Sequence, residues 1–185
     1  MKEKRIKIFT DGGVFEKNRY CVSVGQMFID KKRIMEYKTV NQYKDSNYAE
    51  IFALKKILSR AFGYIKQQNQ SKIKYAIEIY TDSLVSLQLI SEYIQTGKIN
   101  YINKKLVEEI VDLINRLDID IFMYHIKSHI GTKHLKKLHV EFCEFNNCEI
   151  SMNDFIFVYQ QNKNCDKIVK HTYKQFKQKL IADKR

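Results

Sequence analysis

The chain has 185 residues, 44% hydrophobic and 29% charged, a globular balance long enough to bury a core as one domain over 1–185. No apolar run approaches the roughly 20 residues of a membrane span, and the charged start MKEKRIKIFT lacks the apolar stretch of a secretory signal, so a cytoplasmic protein is expected. Lys and Arg number 33 against 21 Asp and Glu, and the net +12 favours polyanions such as nucleic acid, although lysine-rich, Pro-free composition also fits AT-rich coding.

Lys4 to Asp11 alternates, with Ile6 and Ile8 on one side and Phe9 on the other, which is a strand closed by Gly12-Gly13. Tyr20 to Ile29 and Arg33 to Asn41 read as two more strands in hairpins, with Asp30-Lys31-Lys32 as the turn. From Ser46 the period becomes helical through Ala53, Leu54, Ile57, Leu58, Ala61 and Ile65, with Asp45 or Ser46 as the cap. Tyr75 to Thr81 is a fourth strand. Ser83 opens a helix to about Gln95 with Val85, Leu89 and Ile90 inward, and Thr96-Gly97-Lys98 breaks it. Another helix carries Leu106, Ile110, Leu113, Ile114 and Leu117, and Ile119 to Ile126 is a fifth strand. Lys127 to Gln161 follows no clear period. Asn162 to Leu180 is a last helix with Cys165, Ile168, Val169, Tyr173, Phe176 and Leu180 on its stripe. Antiparallel hairpins followed by strand–helix–strand crossovers predict one mixed α/β sheet of five strands with helices on both faces.

On this map four carboxylates stand out. Asp11 ends the first strand and Asp82 the fourth, so both project at the same carboxyl edge if the two strands are parallel neighbours. Glu50 lies one turn before Ala53 and Leu54, facing the sheet, and Asp166 lies on the inner edge of the last helix. Each acid alone reads most simply as a helix cap, a turn residue or a lysine's partner. Together they repel one another unless a cation sits among them, and oxygen-only ligands suit Mg²⁺ or Mn²⁺. Two such ions about 4 Å apart can activate a water and stabilise the leaving oxygen of a phosphodiester.

Four motifs resemble the ribonuclease H family: IFTDGG (Ile8 to Gly13), SNYAE (Ser46 to Glu50), YTDS (Tyr80 to Ser83), and HIKSHIG followed later by NKNCDKIVK. The resemblance implies an RNase H-like fold and a monomer, without membrane association, that cuts the RNA strand of RNA–DNA hybrids, leaving 5′-phosphate and 3′-hydroxyl ends. It implies that Asp11, Glu50, Asp82 and Asp166 hold two Mg²⁺ or Mn²⁺ ions, and that His129 assists proton transfer or product release. Gly12, Asn47, Ser83 and Asn162 would contact the hybrid, Asn47 near its 2′-hydroxyls.

The chain departs from the family pattern in three places. His129 and Asp166 stand far apart, so that about 132–161 reads as an insertion before the last helix. Leu84 and Asp45 occupy positions where the family often has a hybrid-contacting Gln and a phosphate-contacting Thr, which keeps another nucleic acid, DNA or structured RNA, open as substrate. A Trp-containing basic handle is missing, and Lys98, Lys104 and Lys105 are its partial substitutes. Within the insertion, His134, His139, Cys143 and Cys148 are types that bind zinc, but their spacing matches no finger pattern, and the simpler reading is that Cys143 and Phe145 pack inside a small subdomain. The four cysteines of the chain read as reduced thiols. A non-catalytic binding module is the remaining alternative, and four mutually repelling acids in a basic protein argue against it.

Overall fold

The computed structural model describes residues 3–15, 19–42, 45–68, 73–127 and 134–182. In chain order the elements are β1 (Glu3–Phe15), β2 (Tyr20–Ile29), β3 (Lys32–Gln42), α1 (Ser46–Gln68), β4 (Lys74–Thr81), α2 (Leu84–Thr96), α3 (Lys104–Arg116), β5 (Asp120–His125), α4 (Leu135–Asn146) and α5 (Met152–Ala182). The five strands form one sheet in the order β3-β2-β1-β4-β5. β1, β2 and β3 are antiparallel, whereas β4 and β5 run parallel to β1. Among the described residues no helix is long and apolar enough to cross a membrane.

The alternation along the strands sorts the core into two layers. Ile6, Ile8, Met27, Ile77 and Ile79 pack under α1 and α3 with Ile51, Leu54, Ile57, Leu58, Val107 and Ile110. On the opposite face Phe9, Val22, Val24, Phe28 and Tyr80 pack against Phe155, Val158, Tyr159, Cys165 and Val169 of α5, and Leu138 and Phe142 of α4. Helices therefore cover both faces, as the periods predict.

Five expectations are corrected. β1 does not stop at Gly12-Gly13: it runs on to Phe15, paired with β2 from Gly12↔Ser23 to Phe15↔Tyr20. The turn between β2 and β3 is shorter than predicted, because Ile29 already pairs with Lys32 and only Asp30 and Lys31 lie between, both at positive φ of 49° and 62°. Val85 points to solvent, and α2 buries Ser86 beside the expected Ile90. The last helix begins at Met152 rather than Asn162, so the segment 132–161 holds α4 and the first turns of α5. Within it Phe145 is exposed rather than packed inside, while Cys143 does pack against the core.

The helix starts explain themselves locally. Asp45 Oδ1 accepts the Tyr48 N–H at 2.6 Å and caps α1. Ser83 caps α2 by accepting from the Ser86 N–H, and Gly97 closes that helix at φ 67°, a left-handed conformation that suits glycine.

Candidate active site

The parallel pairing of β1 with β4 ends at Thr10↔Thr81, and the next residues are Asp11 and Asp82. Both carboxylates thus leave the sheet at its carboxyl edge, where the two strands part. Glu50 arrives from α1 because the helix approaches β1 unusually closely. A Cβ on Gly12 would lie 2.6 Å from the Glu50 nitrogen and 2.8 Å from the Ala49 Cβ. Gly13 does the same for α5: a Cβ there would fall 2.8 Å from Val169 Cγ1, on the helix that carries Asp166. The two glycines read from sequence as a strand end are what admits both helices to the strand bearing Asp11.

Carboxylate oxygens of Asp11, Glu50 and Asp82 lie within 4.8 Å of one another. Asp166 stands on the same cleft but outside this triad, and Lys170 Nζ, one turn on, donates to its Oδ2 at 2.8 Å. Burial, and then the charges of Asp82 and Asp166, push the Asp11 carboxyl up to about 7. Burial first, and then Asp11 and Asp82, push Glu50 well above the ordinary glutamate range. The Gly12 N–H favours the charged form of both but is outweighed. One Glu50 oxygen, Oε2, is buried without a hydrogen-bond partner. An unsatisfied buried oxygen beside two other carboxylates, in an all-oxygen donor set, fits a hard divalent cation such as Mg²⁺ or Mn²⁺.

The acids line an open cleft of about 860 Å³, whose walls also include Gly12, Gly13, Phe15, Asn47, Ser83 and Lys170. The chain matches the RNase H family model over residues 3–174. It belongs to the RNase H family. Its fold is similar to that of the N-terminal RNase H domain of Rv2228c from Mycobacterium tuberculosis, solved as a fusion with maltose-binding protein (17% identity, TM-score 0.54, 66% of this chain and 87% of that one). It is also similar to LC11-RNase H1, isolated from compost by a metagenomic approach (18% identity, TM-score 0.54, 78% of this chain and 99% of that one). A third similar structure is the prototype foamy virus protease–reverse transcriptase (14% identity, TM-score 0.60, 91% of this chain and 20% of that one). At such identities the likeness is one of fold. No curated protein matches the chain in sequence.

Within this RNase H fold the remaining predicted site residues divide. Gly12, Asn47 and Ser83 lie on the cleft walls. Asn162 does not, because it sits one turn before Asp166 on the covered side of α5 and is buried. Lys98, Lys104 and Lys105 are exposed on the α2–α3 connection and on the first turn of α3, away from the cleft lining. That connection is tied to the cleft end of α1, since Tyr101 Oη and Asn103 Nδ2 donate to Asp45 at 3.1 Å and 3.0 Å. His129 lies outside the described residues. The zinc-type residues of α4 and its flanks form no metal-ligating cluster among the described residues, and His139 Nε2 donates instead to the Ile150 carbonyl at 2.7 Å.

Lys170 belongs to a run on the last helix, Lys167, Lys170, Lys174, Lys177 and Lys179, that the sequence leaves evenly open between a solvated face and one that contacts phosphates. It stands on the cleft wall, paired with Asp166 at i,i+4. One residue at the site is absent from the sequence reading. His125 reaches the main chain of Asp82, a contact that only the register of β4 against β5 reveals.

Proposed function

We propose that this chain is an endoribonuclease that hydrolyses the RNA strand of RNA–DNA hybrids with divalent metal. The observation that carries the reading is the convergence of Asp11, Glu50 and Asp82 on one point, with Asp166 on the same cleft, in a chain of the RNase H family. These four carboxylates would hold two Mg²⁺ or Mn²⁺ ions. When bound, such ions supply the Lewis acidity that lowers the pKa of an attacking water and offsets charge on the departing 3′-oxygen. Products would then carry 5′-phosphate and 3′-hydroxyl ends.

The protein's own groups hold and orient. Asp11, central to the set, gives up its proton as cations enter, because positive charge reverses the repulsion that keeps it protonated. Asn47 and Ser83 present polar side chains on the cleft walls, suited to sugar and phosphate oxygens. Lys170 places a cation beside the path of the backbone and pairs with Asp166 between turnovers. His129, on the resemblance, would carry protons or help release product. The net +12 draws a polyanion toward the cleft and makes binding salt-dependent.

A second reading, an RNase H-fold nuclease acting on another nucleic acid, is favoured by two residues adjacent in the chain to the cleft-lining Ser46 and Ser83. The Asp45 carboxylate is engaged by Tyr48, Tyr101 and Asn103 and offers a phosphate no donor, and Leu84 presents an exposed apolar side chain beside Ser83. A substrate panel separates the two: hybrid, double-stranded RNA, double-stranded DNA and single strands, each with Mg²⁺ and with Mn²⁺. Cleavage confined to the hybrid's RNA strand is the expected result. Preferential cleavage of another member moves the assignment to the second reading.

A further inference from the structure

β5 is an edge strand, and its last residue, His125, pairs with Thr81, immediately before Asp82. The His125 ring turns toward the residue that follows: Nε2 lies 3.2 Å from the Asp82 main-chain oxygen. A carbonyl only accepts, so Nε2 carries the proton and donates. The ring rests against Phe145 of α4, with centroids 5.3 Å apart. The main chain of His125 is held from outside by one side chain of the same helix. Asn146 Oδ1 accepts the His125 N–H at 2.8 Å, and Asn146 Nδ2 donates to the His125 carbonyl at 2.9 Å. A single amide thus takes the two edge groups that a further strand would pair. Nδ2 also donates to the Phe142 carbonyl at 2.9 Å, which fixes the amide on its own helix.

Asp82 stands just beyond the ladder, where strand pairing no longer restrains it, and its carboxylate oxygen lies within 4.8 Å of those of Asp11 and Glu50. Its peptide is held on one side by Thr81 Oγ1, which accepts the Ser83 N–H at 3.2 Å, and on the other by His125. No residue of α4 lines the cleft. We infer that His125 and Asn146 are positioning residues, through which α4 braces the backbone of Asp82 so that its carboxylate meets those of Asp11 and Glu50. The segment expected as an insertion thereby acts on the metal site at one remove. This inference rests on the reading of the three carboxylates as metal ligands.

The test is calorimetric Mn²⁺ binding to the full chain without nucleic acid, beside thermal melts of the metal-free protein. His125→Phe keeps a ring against Phe145 and loses the donor, so Mn²⁺ affinity should fall about fivefold while the metal-free melting temperature barely moves. His125→Gln, which carries an amide N–H near the position of Nε2, should restore affinity to within about twofold of wild type. Asn146→Ala should weaken binding in the same direction, and the double variant with His125→Phe should fall short of the sum of the two effects. Wild-type affinity in His125→Phe, or equal loss in His125→Phe and His125→Gln, would overturn the brace. If His125→Phe does not fold, His125→Gln against the shorter His125→Asn carries the same comparison, and equal affinities overturn it. Asp82→Asn is the reference: if it too binds Mn²⁺ like wild type, the ligand reading itself fails, and the brace with it.

Discussion

Gly12 and Glu50 meet backbone to backbone: a Cβ on Gly12 would stand 2.6 Å from the Glu50 amide nitrogen. Helix α1 can deliver Glu50 to Asp11 only because that position carries no side chain. Gly12→Ala should therefore push the helix out, cost about 2 kcal/mol of stability in chemical denaturation, and separate the two carboxylates. Cleavage should fall by about 100-fold, far more than the unfolded fraction accounts for, since a displacement of about 1 Å at reacting groups has that scale.

Asp11 keeps its proton up to about 7 in the folded, metal-free protein, whereas the unfolded chain loses it in the ordinary aspartate range near 3.8. Between those values the folded state binds the extra proton, so stability falls as pH rises through this window and levels off above about 7. Glu50 contributes in the same direction. Asp11→Asn removes the strain, and in a chelator at about pH 8 it should melt higher than wild type by about 6 °C, or about 2 kcal/mol. The gap should shrink at about pH 5, and Mg²⁺ should raise the wild-type melt but not that of the variant. A metal-free Asp11→Asn that melts below wild type at the higher pH would contradict this account of the cluster.

Glu78 behaves in the opposite sense. Its side chain is almost fully buried and meets Lys7, Arg5 at 2.7 Å and the Tyr80 hydroxyl at 2.8 Å. Burial alone would raise its pKa, but the Lys7 hydrogen bond and charge, with Tyr80 and Arg5, outweigh it and hold the carboxyl below the usual range. Its contribution is thus complete above the ordinary glutamate range and is lost as pH falls through the lowered value. Glu78→Ala strands Lys7, itself mostly buried, and should cost about 3 kcal/mol near neutral pH and less at about pH 3. None of these groups lines the acidic cleft, so the folded variant should cleave normally, which a denaturation series paired with an activity assay would check.

Asp45 holds the first turn of α1 and the α2–α3 connection together through Tyr48, Tyr101 and Asn103. Asp45→Ala should cost about 1–2 kcal/mol, whereas Asp45→Asn, an equally good cap, should cost a fraction of that. Urea denaturation of the two variants side by side would show the difference.

Much of this architecture was legible in the residues because burial imposes a period. Ile6 and Ile8 against Phe9 assign the two faces of β1, and Ala53 to Ile65 assigns α1. The meeting of Asp11, Glu50 and Asp82 followed from strand ends and one helical turn. Gly12-Gly13 misled because glycine usually marks a break, while here it marks close approach inside a continuing strand. The early start of α5 was written in Ser151-x-x-Asp154, where Ser151 Oγ accepts the Asp154 N–H at 3.1 Å and donates to its carboxylate at 2.8 Å. That cap was masked by the run Phe155, Ile156, Phe157, Val158, Tyr159, which has no helical period of its own because α5 at this level packs on the sheet, on α4 and beside Lys31. The His125–Asp82 contact spans 43 positions and depends on the register of two parallel strands, which no local pattern encodes.

The most direct measurement is cleavage of an RNA–DNA hybrid labelled separately in each strand, with Mg²⁺, by wild type and by Asp82→Asn. The expected result is internal cuts in the RNA strand alone by wild type, with no detectable cleavage by Asp82→Asn although it still folds and binds the hybrid. Equal cleavage by the two proteins, or none by a folded wild type that binds the hybrid in Mg²⁺ or Mn²⁺, would contradict the assignment of the carboxylate cluster as a hybrid-cutting active site.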